Sequence, residues 1–199
     1  LLARLSEHSR ESLRRIVSVL DEMDQLARPY TPSFKKTDIN QIADDALLLL
    51  DTQIKLRKQE VVRQYDPLSP ALVDSERLKH ALLDILLNAV EANAENGKIY
   101  VRTREVQMKP TRTNPTRTNP TRTGIQIEIA DTGCGIPEKN LERVFDPFFT
   151  TKHKSLLREG TGLGLAIAHR IVEEHHGSME IRSEEGKGTT VFVNLPVDR

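Results

Sequence analysis

Residues 131–137 read DTGCGIP and follow GIQIEIA at 124–130. In the second stretch isoleucines alternate with polar or small residues, the period of a half-buried strand. Asp131 therefore stands at a strand end, with Gly133 and Gly135 completing a D-x-G-x-G pattern. Glycines at such a place let the backbone approach a flat ligand closely and adopt positive φ. An ionised carboxylate accepts hydrogen bonds, and the exocyclic amine of adenine donates them. Many turns share this pattern, so its weight depends on what surrounds it.

Downstream come FDPFFTTK at 145–152 and GTGLGLA at 160–166, the latter opening a helix predicted over 162–175. Glycines at a helix N-terminus expose backbone N–H groups suited to phosphate. No G-K-[ST] closes the cluster, so it is not a Walker loop, and no strand leads directly into it as in a dinucleotide fingerprint. Upstream, Asp74 is the expected N-cap of a helix over 75–95 whose apolar face carries Leu78, Ala81, Leu82, Ile85, Leu86 and Ala89. Asn88 interrupts that face, and Asp84 lies one helical turn before it.

These boxes, in order LLDILLNAVEA, DTGCGIP, FDPFF, GTGLGL and GKGTTVFVNLP, resemble the catalytic ATP-binding domain of bacterial sensor histidine kinases. The wider superfamily includes type II topoisomerase ATPases, mismatch-repair ATPases and a heat-shock chaperone. The resemblance covers about residues 37–197. It implies an α/β fold, a two-layer sandwich of helices on a mixed, mostly antiparallel sheet. It also implies ATP and Mg2+ as ligands.

By that resemblance Asp131 binds the adenine amine, with Thr190 assisting through water, and Gly133 and Gly135 line the base pocket. Asn88 is the magnesium ligand. Gly160, Thr161, Gly162, Leu163, Gly164 and Leu165 surround the phosphates. Residues 149–160 form the lid, anchored by Phe145 and Phe148, and Lys152 is the lid cation expected at the γ-phosphate. Asp84 occupies a position where water-hydrolysing relatives carry a catalytic Glu. It is one methylene shorter, so little hydrolysis is expected of it.

Outward from the boxes, residues 1–28 lack Gly and Pro, and Leu2, Ser6, Ser9, Leu13, Ile16, Leu20, Met23 and Ala27 follow alternating four- and three-residue spacings. That is the seam of a helix bundle, which needs a partner helix. The resemblance makes residues 1–30 the second helix of a dimerisation and phosphotransfer hairpin, and so implies a homodimer. Pro29 and Pro32 end that helix. Residues 31–37 then read as a linker and 38–199 as the catalytic domain, with a helix at 39–57 and a strand at 61–66. Residues 110–123, PTRTNPTRTNPTRT, contain no apolar residue and read as a solvated insert between two strands. No H-E-x-x-N/T-P box is present, and His8 lacks its downstream proline, so the acceptor histidine is expected outside this chain. The chain opens mid-helix at Leu1 and reads as part of a longer protein, possible membrane attachment of which lies beyond it.

Composition narrows the partners. The 199 residues carry 29 basic and 29 acidic side chains, 37% hydrophobic and 29% charged. That describes a folded chain without the basic excess of a nucleic-acid binder. A single cysteine, Cys134, rules out an internal disulfide and suits a reducing, cytoplasmic setting. No apolar run approaches the ~20 residues of a membrane span. The resemblance implies a response-regulator receiver domain as the downstream partner. Two other functions fit parts of the pattern: an anti-sigma-factor-type serine kinase, which lacks the dimerisation hairpin, and a non-enzymatic ATP-sensing dimer module.

Overall fold

The computed structural model describes residues 31–108, 122–151 and 161–197, together with Met23. The rest of the expected helix at 1–30, the repeat at 110–121, Lys152, Gly160 and the lid residues between them lie outside the described residues.

Five strands form the main sheet in the order β2-β4-β5-β7-β6. They are β2 (Glu60–Tyr65), β4 (Lys98–Met108), β5 (Arg122–Asp131), β6 (Ser178–Glu184) and β7 (Gly188–Pro196). Only β2 and β4 run parallel; every other neighbouring pair is antiparallel. This is the mixed, mostly antiparallel sheet expected. Alternation settles which face is buried. Ile99, Val101, Ile125, Ile127, Ile129, Val191, Val193 and Leu195 all point inward.

Helices α1 (Ile39–Leu49), α3 (Ser75–Ala92) and α5 (Gly164–Glu174) cover that face, with α3 in contact with both others. Leu78, Leu82, Ile85 and Leu86 of α3, with Ile167 and Ile171 of α5, are almost fully buried. Each such side chain contributes roughly 1.5–3 kcal/mol of burial free energy. Helices α1 and α3 begin at aspartate N-caps, that of α3 being the one expected. Asp38 accepts from the Asn40 N–H at 2.8 Å and Asp74 from the Arg77 N–H at 3.2 Å. The opposite face of the sheet carries a polar ladder. Arg102 contacts Glu128 and Gln64, Arg104 contacts Gln126, and Gln126 bonds Asn194. Among the described residues, no helix is long and apolar enough to cross a membrane.

Three local features differ from the sequence expectation. The helix at 39–57 is broken at Leu50 into α1 and α2 (Asp51–Leu56). The bend keeps Leu50 and Ile54 in the core and leaves Leu48, Leu49 and Leu56 exposed. The helix at 75–95 stops at Ala92, where Asn93 turns extended and its amide reaches the Lys98 carbonyl at 3.1 Å. Part of the expected linker carries regular structure. Residues Lys35–Thr37 form β1, antiparallel to β3 (Ala71–Val73), and the Ser33 N–H donates to Asp74 Oδ2 at 2.7 Å. Between the D-x-G-x-G segment and α5 lies a further short helix, α4 (Glu138–Leu141).

Candidate functional site

The C-terminal half of α3, the end of β5, the start of β7 and the two glycine segments enclose a cavity of about 500 Å³. Its walls are apolar where a planar base would need them: Ile85, Ile129, Ile136, Val144, Ile181 and Val191.

Asp131 marks one end. Its Oδ1 accepts from the Gly133 N–H at 2.8 Å and the Thr189 N–H at 3.2 Å. The chain thus aims this carboxylate before any ligand arrives. The tight turn follows from Gly135. Its φ is +67°, and a Cβ there would lie 2.1 Å from the Glu184 carbonyl oxygen. The Cys134 N–H donates to the Ala92 carbonyl at 3.2 Å, packing this loop under the last turn of α3.

Asp84 and Asn88 mark the other end, facing Thr161, Gly162, Gly164 and Leu165 across the cavity. Gly162 has φ +70°, and its Cα lies against the Phe148 backbone, where a Cβ would come within 2.5 Å of a carbonyl carbon. A Cβ on Gly164 would stand 3.5 Å from Asp84 Cγ, so α5 begins beside the Asp84 carboxyl. Asp84 is 5% exposed, and burial raises its pKa to about 7. His80 Nδ1 stands 3.9 Å from Asp84 Oδ2. Burial, and then Arg77, push the His80 pKa down. Both groups are driven toward their neutral forms, so this is a weak polar contact rather than an ion pair.

The expected residues separate into two sets. Asp84, Asn88, Asp131, Gly135, Thr161, Gly162, Gly164 and Leu165 line the cavity. Gly133, Leu163 and Thr190 do not. Leu163 is fully buried in the core. Thr190 pairs with Ala130 on the outward-facing register of β7, and its neighbour Thr189 lines the cavity instead. Strand alternation could have found this, since 189, 191, 193 and 195 form one inward-facing set. Phe145 stacks on His169 of α5 with centroids 4.6 Å apart. Phe148 differs from the expected anchor: its φ is +67° and the residue is 58% exposed. It meets Gly162 through backbone, while Phe149 lines the cavity. Sequence reasoning also missed Arg57, which belongs to no box and reaches the cavity from the end of α2.

The donor set fits magnesium held jointly with phosphate. Among the described residues, no group of three or more His, Cys, Asp or Glu could hold a metal unaided. The Asn88 amide supplies a hard oxygen at the glycine-rich end, and Mg2+ commonly takes one or two protein oxygens plus substrate phosphates.

Residues 73–199 match the family model described as histidine kinase-, DNA gyrase B-, and HSP90-like ATPase. The chain is 33% identical over 198 residues to the sensor histidine kinase ZraS of Escherichia coli, covering 99% of this chain and 38% of that protein. It is 32% identical over 186 residues to sporulation kinase E of Bacillus subtilis, covering 93% of this chain and 23% of that protein. The nucleotide-free catalytic domain of histidine kinase ThkA superposes with a TM-score of 0.67 at 27% identity, covering 84% of this chain and 99% of that domain. The chain belongs to the histidine kinase-, DNA gyrase B- and HSP90-like ATPase family. Within it the chain has the catalytic-domain fold of the sensor histidine kinases, and it spans well under half the length of the two full-length relatives.

Proposed function

We propose that this chain is the ATP-binding catalytic portion of a sensor histidine kinase. It would transfer the ATP γ-phosphate to a histidine outside residues 1–199, for relay to a response-regulator aspartate. One observation carries the reading: a single cavity has a preoriented carboxylate, Asp131, at one end and Asn88 with Gly162 and Gly164 at the other. That polarity suits adenine at the first end and phosphates at the second.

In this reading Asp131 accepts from the adenine amine, and Thr189, rather than Thr190, stands beside it. The backbone at 161–165 cradles the phosphates at the start of α5. Asn88 would hold magnesium, which would supply charge neutralisation at the phosphate oxygens. Phosphoryl transfer needs mostly positioning and electrostatic stabilisation, and Lys152 is our choice for the lid cation at the γ-phosphate. Residues 1–30 serve as part of a dimerisation and phosphotransfer hairpin, 31–37 as the connection and 38–199 as the catalytic domain. The parent then acts as a homodimer, with this domain in the cytoplasm.

Labelled ATP and magnesium test the proposal. The chain alone should bind nucleotide and gain almost no acid-labile phosphate. Addition of a protein supplying the complete two-helix hairpin should place label on the hairpin histidine. Strong self-labelling abolished by His8→Ala would make His8 the acceptor. Absence of hairpin labelling even in the full-length parent would favour a nucleotide-sensing module.

A further inference from the structure

Arg57 sits at the C-cap of α2, and its backbone is clamped. Its N–H donates to the Gln53 carbonyl at 3.1 Å, and its own carbonyl accepts from the Asn96 N–H at 3.2 Å. The half-buried side chain lines the cavity. Its Nη1 points at the Val90 and Asn93 carbonyl oxygens, 3.4 Å from each. A guanidinium at the negative end of α3 would ordinarily read as a helix cap.

That cap is already present. Gln59 Nε2 donates to the Val90 carbonyl at 3.0 Å, to Asn93 at 3.4 Å and to Ala94 at 3.3 Å. Gln59 is 7% exposed, and its Nε2 is committed to these carbonyls. Arg57 duplicates two of these bonds through Nη1, to Val90 at longer range and to Asn93 at the same 3.4 Å. Among the described residues it makes no ion pair and no hydrogen bond through Nε or Nη2. A cation on a cavity wall, redundant as a cap and unpaired with any described carboxylate, has donors to spare for a ligand.

Its place in the cavity says which part of the ligand. The turn holding Val90 and Asn93 includes Ala92, whose carbonyl receives the Cys134 N–H of the Asp131 loop. Arg57 therefore approaches the turn of α3 that borders the Asp131 loop; along that helix Asn88 lies about one turn and Asp84 about two turns before Ala92. We propose that Arg57 is a nucleotide-binding residue that donates hydrogen bonds to the nucleoside, not to the phosphates. The inference rests on the adenine-nucleotide reading of this cavity. The planar fork of Arg suits the ring-nitrogen and ribose-hydroxyl acceptors of a nucleoside better than the point charge of Lys.

The test is a calorimetric titration of ATP and ADP, each with magnesium, into the wild-type chain and Arg57→Gln, Arg57→Lys, Gln59→Ala and Asp131→Ala variants. Melting temperatures without nucleotide report on the fold. Arg57→Gln should weaken ATP and ADP by the same factor, about 5–10-fold, the range of one or two hydrogen bonds. Arg57→Lys should recover only part of the loss. Gln59→Ala should lower the melting temperature and leave affinity almost intact. Unchanged affinity in both Arg57 variants would overturn the proposal and leave Arg57 a second cap. A loss confined to ATP would also overturn it, placing Arg57 at the γ-phosphate. If Asp131→Ala binds as wild type does, or the wild type binds neither nucleotide, the adenine reading itself fails. Loss in Asp131→Ala with none in the Arg57 variants refutes only the Arg57 assignment.

Discussion

Nε2 of His175 accepts a hydrogen bond from the backbone N–H of Asp74 at 3.0 Å, joining the end of α5 to the start of α3 across 101 positions. Nδ1 lies 2.7 Å from the Ile171 carbonyl, so it carries the proton and the ring is neutral. The Phe34 and His175 rings pack edge-on, with their centroids 5.2 Å apart. Asp74 in turn receives the Ser33 N–H. One buried ring thus ties two helices to the segment that enters the domain.

Burial drives the His175 pKa below its ordinary value, outweighing the Ile171 carbonyl and the Asp74 carboxylate, which pull it upward. The unfolded chain then binds the proton more readily than the folded one. Stability is fully present above the unfolded pKa of about 6.5 and declines as pH falls below it, toward the lower folded pKa. Urea denaturation at pH 8 and pH 5.5 should show this slope. His175→Ala should cost about 2–4 kcal/mol at pH 8 and flatten the slope. An unchanged slope in the variant would assign the pH dependence to other groups.

Asn88→Ala should reduce affinity for magnesium-ATP at least about tenfold, while affinity for ATP in chelator changes little. Asn88 is only partly buried on α3, so the melting temperature should move by no more than a few degrees. Unchanged magnesium-ATP affinity together with intact phosphotransfer would reduce Asn88 to a packing residue.

Asp84 has its folded pKa raised to about 7 by burial. Its contribution to stability is therefore full below the unfolded value near 4 and is lost as pH rises through about 7. Asp84→Asn should be more stable than wild type at pH 8, with the difference shrinking toward pH 5. We also expect slow basal ATP hydrolysis that the substitution hardly alters. Rapid hydrolysis abolished by Asp84→Asn would instead make Asp84 a general base.

Two glycine substitutions should fail in different ways. Gly135→Ala forces a Cβ to within 2.1 Å of the Glu184 carbonyl at positive φ, so it should lower the melting temperature by several degrees. Gly164→Ala meets nothing closer than 3.5 Å and adds a good helix former to the first turn of α5. It should fold as well as wild type yet weaken ATP binding, because the methyl group narrows the cavity beside Asp84. Equal loss of stability in the two variants would contradict this division.

Local sequence determined the elements. Isoleucines at 125, 127 and 129 specify which face of β5 is buried, and Asp38 and Asp74 specify where α1 and α3 begin, because strand alternation and capping act within a few residues. The order of the glycine and carboxylate boxes was likewise enough to identify the family. Tertiary structure decided what no local pattern encodes. The break at Leu50 depends on where Ile54 meets the core. The docking of Ser33 and Phe34 depends on Asp74 and His175, distant in sequence. Thr189 rather than Thr190 lines the cavity because β7 pairs with β5 in one particular register. Arg57 reaches the cavity because β2 lies beside β4, bringing the end of α2 against the last turn of α3. Cavity walls are made by residues from separate elements, and their juxtaposition arises only when the helices bury their apolar faces on the sheet.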